Sequence, residues 1–215
     1  MIHVEIFTFN PMQENTHLLW NEKAHAIIID PGCYFTAEQE TLEKFIKDKS
    51  LTPVQLLNTH CHLDHVFGNK WVNKTYHLEL YIHRIEEKVL EFAPATGIMW
   101  GFGLDNYKGP FHFLEHGDII NFDEDKLEVI FTPGHSPGSI CFYCKEQNFI
   151  IGGDVLFFES IGRTDLPGGN NQQLLNSIQK KLFALPDETI VYPGHGPETT
   201  IGHEKKYNPF LSGLA

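Results

Sequence analysis

The chain is poor in cysteine and in basic residues and has no long apolar run, and each absence removes a class of protein. Its four cysteines, Cys33, Cys61, Cys141 and Cys144, are too few and too scattered across 215 residues for a disulfide framework, which fits a reducing compartment. Sixteen Lys and Arg stand against 28 Asp and Glu, a formal net charge of −12. That balance argues against a phosphate backbone as partner, because nucleic-acid binders present basic surfaces. No apolar stretch approaches the length of a bilayer-spanning helix, and Met1-Ile2-His3-Val4-Glu5-Ile6-Phe7 reads as a strand, without the basic and apolar segments of a signal peptide. The expectation is a soluble, cytoplasmic protein with neither membrane nor nucleic acid as partner. Repeats, low-complexity tracts and linkers are also missing, so the economical reading is one domain over residues 1–215.

What the chain does have is histidine in one place. Thr59-His60-Cys61-His62-Leu63-Asp64-His65 puts three imidazoles and a carboxylate into six residues, directly after the apolar run Val54 to Asn58. Imidazole nitrogen and carboxylate oxygen are ligands that Zn²⁺, Fe²⁺ and Mn²⁺ share, and ordinary packing has no use for four such groups side by side. The apolar run reads as a buried strand. On the extended chain after it His60 and His62 share one face while Cys61 points away. Asp64 and His65 follow where the chain turns toward a helix expected over Gly68 to Tyr76. Two adjacent ligand sets from one loop suggest two adjacent metals.

Distant segments supply further donors. Thr132-Pro133-Gly134-His135-Ser136-Pro137-Gly138 follows a predicted strand at Leu127 to Phe131. Ile150-Ile151-Gly152-Gly153 leads into Asp154, and Ile190-Val191-Tyr192-Pro193-Gly194 into His195. Each candidate ligand thus sits just past the C-terminal end of a strand, where layered α/β domains gather their functional loops.

These blocks, in this order, resemble the metallo-β-lactamase superfamily over nearly the whole chain. The resemblance implies an α/β fold in the form of an αββα sandwich, two mixed β-sheets with helices outside, and two divalent metal ions, zinc first, with iron or manganese as alternatives. It implies that His60, His62 and His135 hold one metal, that Asp64, His65 and His195 hold the other, and that Asp154 bridges them, Asp64 being also the candidate catalytic residue. Within the superfamily the pattern is similar to glyoxalase II, the hydroxyacylglutathione hydrolases. The Asp64-His65 pair is complete, and Asp154 stands where the best-known lactamases carry a cysteine. Ser160 to Gly169, Thr200 to Glu204 and Asn208-Pro209-Phe210 resemble its short bacterial subgroup. Longer glyoxalase II enzymes add a C-terminal helical domain that binds glutathione, and none is expected here. Arg163 falls near a substrate-contacting lysine of the family. It is a candidate for a substrate carboxylate, with pinning of its own loop through Asp165 as the alternative.

The implied chemistry is hydrolysis of a small-molecule thioester, S-lactoylglutathione or a related acyl-thiol. Two cations sharing a water lower its pKa from 15.7 to about 7, which supplies a metal-bound hydroxide without a protein base. The alternative is a mononuclear-iron persulfide dioxygenase, which the chain resembles through Gly162-Arg163-Thr164-Asp165 and which would use His60, His135 and Asp154. A nucleophilic serine is not expected, since Ser136 and Ser139 lack a Gly-x-Ser-x-Gly elbow. Cys141 and Cys144 read as strand residues and Cys61 as a small packed residue. Helices are predicted over Thr36 to Lys49, with a capping box from Thr36 to Gln39, over Arg84 to Phe92 and over Asn171 to Phe183. Pro94 to Pro110 lacks periodicity and reads as an irregular segment, either a flap or a packed surface loop.

Overall fold

The structure of this protein, a computed structural model, describes residues 1–212, and among them short apolar runs bounded by turn signals form fourteen strands. Two compact units are present, Met1–Leu114 and the described residues from Glu115 onward.

In the first unit the elements run β1 (Ile2–Phe9), β2 (Glu14–Asn21), β3 (His25–Ile29), α1 (Thr36–Asp48), β4 (Thr52–Leu57), α2 (Leu63–Val66), α3 (Asn69–Tyr76), β5 (Leu80–His83), α4 (Glu86–Trp100) and β6 (Phe111–Leu114). The six strands form one sheet in sequence order. β1, β2 and β3 are antiparallel neighbours, whereas β3 to β6 are parallel, because a helix returns the chain between each pair. Ala26, Ile27, Ile28 and Ile29 are all fully buried, which is why β3 reads as a continuous apolar run rather than an alternating one. Helix α1 buries Leu42 and Ile46, and the unit's core gathers them with Leu18, Ile28, Leu56, Leu80 and Ile82.

Two expectations need correction here. The carboxylate that caps α1 is Glu38, not a Thr36–Gln39 box. It accepts from the backbone N–H of Tyr34 (2.8 Å), Phe35 (2.9 Å) and Asn10 (2.7 Å), so it ties three otherwise orphaned donors to the helix start. Helix α4 does not stop at Phe92 but runs through Pro94 to Trp100. An interior proline removes the N–H that the carbonyl four residues earlier would accept, and helices usually break there. In this chain the Leu90 carbonyl accepts instead from the Asn106 side-chain amide, and the helix continues. The segment read as irregular is therefore half helix, and only its part after Trp100 is loop.

In the second unit the order is β7 (Ile119–Phe122), β8 (Asp125–Phe131), β9 (Ile140–Cys144), β10 (Phe149–Gly153), β11 (Leu156–Phe157), β12 (Ser160–Ile161), α5 (Asn171–Ser177) continued by a π-helical turn (Ile178–Leu182), β13 (Ile190–Pro193), β14 (Thr199–Thr200) and α6 (Ile201–Tyr207). Its six-stranded sheet has the order β14-β13-β10-β9-β8-β7, with β10 and β13 parallel and the other neighbours antiparallel. Leu174, Ile178 and Leu182 from the helical segment pack with Ile130, Ile150, Val191 and Ile201. The tail is tied down by hydrogen bonds to Glu204 and Asn208. Glu204, fully buried, accepts from the Glu159 N–H (3.0 Å) and from Asn208 (2.7 Å), and Asn208 also donates to the Ser160 carbonyl (3.0 Å). No helix among the described residues is long and apolar enough to cross a membrane.

Candidate metal centre

The first unit presents its ligand candidates where β4 ends and α2 begins. His60 is fully buried and its ring lies 4.8 Å from that of His62 and 4.1 Å from that of His65, centroid to centroid. The Asp64 carboxylate is 3.7 Å from His65 Nε2 and partly reaches solvent. The four predicted donors of this loop are therefore gathered into one cluster, with Cys61 turned away as the two-residue alternation requires. The Cys61 backbone N–H is held by the buried carboxylate of Glu86 at 2.7 Å, which fixes the chain between the two imidazoles.

What orients these rings is Asp30, which follows β3 with a positive φ of 50°. Asp30, His60 and His65 place donor atoms within 4.8 Å of one another, which makes Asp30 a possible ligand on geometry alone. Its hydrogen bonds argue for another role. The carboxylate accepts from Asn58 Nδ2 (3.0 Å), Thr59 N (2.7 Å) and Thr59 Oγ1 (2.6 Å), and lies 3.2 Å from His65 Nδ1. Since the Thr59 hydroxyl donates to Asp30, it accepts from His60 Nδ1 at 3.1 Å. One carboxylate thus sets both rings with Nδ1–H turned inward, directly for His65 and through Thr59 for His60. This is the arrangement in which Nε2 carries the lone pair for a cation.

Behind Asp30 sits Glu14, fully buried, accepting from Thr16 Oγ1 at 3.0 Å and lying 3.9 Å from His65 Nδ1. Burial pushes its carboxyl well above the usual range, His65 opposing and Asp30 and Asp64 adding to the rise. A Cβ on Gly32 would stand 1.9 Å from the Glu14 carboxylate, so only glycine fits the Asp30-Pro31-Gly32 turn beside it. Sequence reasoning passed over Asp30, Glu14 and Glu86. The available signal was that Asp30 also ends a buried strand with a carboxylate, the pattern that picked out Asp154.

The second unit gathers the remaining candidates. His135 Nε2 is 3.4 Å and His195 Nε2 3.5 Å from Asp154 Oδ2. His135 is buried, Asp154 is nearly so, and the His195 side chain keeps about a quarter of its surface in solvent. The His135 ring is set by its Nδ1, which is 2.8 Å from the Arg163 carbonyl. Glycine makes this possible twice. A Cβ on Gly162 would meet the Asp154 carbonyl at 2.0 Å, and Gly134, at a φ of 144°, has the Leu174 backbone nitrogen 2.3 Å from where a Cβ would be. Ser136 N–H donates to Ser139 Oγ at 3.2 Å, so these serines shape the His135 loop.

The Arg163 side chain is exposed and forms a bidentate fork on Asp165, at 2.7 and 2.8 Å, which is the loop-pinning alternative. That fork holds the Asp165 carboxyl down at about 2. Cys33 and Cys61 have thiols pushed up, mainly by burial, and all four cysteines are free and buried, which suits packing rather than nucleophilic chemistry.

The donor set fits divalent metal. Three of the imidazoles have their Nδ1 committed to protein oxygen, and carboxylates stand beside the Nε2 atoms in both units. No cysteine thiolate is offered, so the set is the nitrogen and oxygen one that zinc, iron and manganese share.

Comparison with known proteins agrees. The metallo-β-lactamase superfamily model matches residues 9–195. A probable metallo-hydrolase, YqgX of Bacillus subtilis, is 41% identical, covering 95% of each chain. The hydroxyacylglutathione hydrolase GloC of Haemophilus influenzae is 37% identical over 98% of this chain and 99% of its own. Among solved structures, the B3 metallo-β-lactamase BLEG-1 superposes with a TM-score of 0.91 at 39% identity, covering 98% of this chain and 100% of its own. TTHA1623 in a di-iron-bound form gives 0.87 at 37%, covering 97% and 100%. ETHE1 from Myxococcus xanthus gives 0.79 at 25%, covering 96% and 83%. The chain belongs to the metallo-β-lactamase superfamily, as a hydrolase-like member with that family's fold of two mixed sheets and flanking helices and a metal-binding cluster of histidine and aspartate.

Proposed function

We propose that the protein is a metal-dependent thioester hydrolase of the glyoxalase II type, acting on S-lactoylglutathione or a related acyl-thiol. The observation that carries this reading is the complete set of seven donors of the expected types, His60, His62, Asp64, His65, His135, Asp154 and His195, with the His60, His65 and His135 rings pre-oriented by Thr59, Asp30 and the Arg163 carbonyl. The 37% identity to GloC, a hydroxyacylglutathione hydrolase over nearly its whole length, supports the substrate class. In this reading the chain acts as one catalytic domain and both ligand sets are required. His60, His62 and His135 would hold one cation and Asp64, His65 and His195 the other, with Asp154 available to both. When bound, two divalent cations activate water as a nucleophile and polarise the thioester carbonyl.

The chain's own contribution is to hold and orient. Asp30 and Glu86 fix the first ligand loop, and Gly162 and Gly134 allow the second to close without a clash. No side chain needs to supply a proton to the leaving group, since a thiol with a pKa of about 8.5 departs as thiolate near neutrality. Arg163 exchanges Asp165 for a substrate carboxylate, the guanidinium fork suiting either.

A mononuclear-iron persulfide dioxygenase using His60, His135 and Asp154 is the second reading, and the di-iron form of TTHA1623 shows that a similar chain accepts iron. The deciding experiment incubates purified protein, with metal content measured, with S-D-lactoylglutathione, glutathione persulfide and a β-lactam. Chelator-sensitive thioester cleavage at two metals per chain supports the proposal. Oxygen consumption on the persulfide at one iron per chain replaces it with the second reading, and β-lactam turnover alone sinks both.

A further inference from the structure

A cavity of about 290 Å³ lies in the first unit among the start of α1, the length of α3 and the loop after Gly103. We propose that it binds an organic anion, a carboxylate or phosphate carried on a flat or apolar body. The inference is independent of the hydrolase reading and uses none of its metal ligands.

Charge is the first ground. In a chain with 16 basic residues against 28 acidic ones, Lys70 and Lys74 stand four apart on α3 and both line this cavity. That spacing puts them on one helix face. Lys74 forms no ion pair among the described residues, and Lys70 is engaged by Asp105, whose side chain is 76% exposed. Lys70 donates to this solvent-facing carboxylate, and Lys70, Lys74 and Lys108 all hold it below the usual carboxylate range, the hydrogen bond from Lys70 most strongly. Asp105 occupies the position a ligand's anionic group would take, and being exposed it can swing away when such a group arrives.

The second ground is the wall. Tyr34 packs on Phe67 with ring centroids 4.6 Å apart, Phe67 is 7% exposed, and the half-buried Trp71 completes an aromatic lining beside the two ammonium groups. Gln39 adds an amide to the rim. Apolar faces next to cations select a ligand that carries both an anion and a flat or apolar portion. A bare inorganic anion leaves the rings unused, and a neutral aromatic leaves the lysines unused.

The test uses the full chain with its metal bound and follows the Trp71 indole N–H by NMR, assigned with Trp71→Phe. The probes are phenyl phosphate and benzoate, with inorganic phosphate and benzyl alcohol as the half-ligands. Saturable shifts of Trp71 by both aryl anions are expected, with each half-ligand at least roughly tenfold weaker. Lys70→Gln and Lys74→Gln should each weaken binding roughly tenfold, Lys44→Gln should not, and Asp105→Asn should tighten it several-fold by removing the internal competitor. A silent Trp71, an affinity indifferent to both lysines, or benzyl alcohol binding as well as phenyl phosphate would each overturn the proposal. Should Lys70→Gln unfold the helix, Lys74→Gln and Asp105→Asn still decide it, since a merely structural Lys70–Asp105 pair predicts no gain from the asparagine.

Discussion

Asp30 links the ring orientation of two histidines to a single carboxylate. Replacing it by alanine leaves the Thr59 hydroxyl, the Thr59 N–H, Asn58 and His65 Nδ1 without their acceptor. Losing a group that orients a ligand typically costs tenfold to a hundredfold in metal affinity, so Asp30→Ala should lose metal to a competing chelator by roughly that factor. Retention equal to wild type would show that Asp30 is not an orienting group. Gly134 gives a sharper steric test. With the Leu174 backbone 2.3 Å from a would-be Cβ and φ at 144°, Gly134→Ala should lower stability by more than about 2 kcal/mol in denaturant titration.

Helix α4 shows how an element can survive a residue that should end it. Pro94 offers no N–H to Leu90, and Asn106 supplies one from outside the helix. Asn106→Ala should therefore cost about 1–3 kcal/mol, the penalty for an unsatisfied buried carbonyl. In the Pro94→Ala background the same change should cost clearly less, because the new N–H can take the Asn106 role. Additive effects in that double-mutant cycle would refute the substitution of one donor for the other. The missed second half of α4 has the same origin. A proline next to glycine-rich aromatics reads as a break, and the compensating amide lies twelve residues further along the chain.

At the scale of the whole molecule, stability should respond to acid through His17. Burial, partly opposed by Asp30, lowers its pKa from 6.5 to about 4, so the folded chain keeps it neutral where the unfolded chain has already taken up a proton. Its contribution is complete above pH 6.5 and lost as pH falls toward 4, about 3 kcal/mol in all at about 1.4 kcal/mol per pH unit. Urea midpoints measured across that window should fall, and His17→Gln should flatten that part of the profile. Metal removal is the second global lever. If the seven donors hold cations, chelation should lower the melting temperature reversibly, free metal at a hundred times its Kd being worth about 2.7 kcal/mol. A melting temperature unmoved by chelation would be incompatible with a loaded centre.

The sequence by itself determined the types of the candidate ligands and the element each would follow. Strand ends are set by local apolar runs and turn residues, and His60, His62, Asp64, His65, His135, Asp154 and His195 all follow such ends, a pattern that survives without coordinates. It also marked the tail through Asn208, which the structure ties to Ser160 and Glu204. What only the tertiary structure decided is which distant groups serve those ligands. Asp30 reaches His65 across 35 residues, Glu86 reaches Cys61 across 25, and the Arg163 carbonyl rather than its guanidinium reaches His135 across 28. Hydrogen bonds act over about 3 Å in space, whatever the separation in sequence, and carry no local periodicity. A carboxylate at a turn therefore looks like punctuation until the fold brings an imidazole to it.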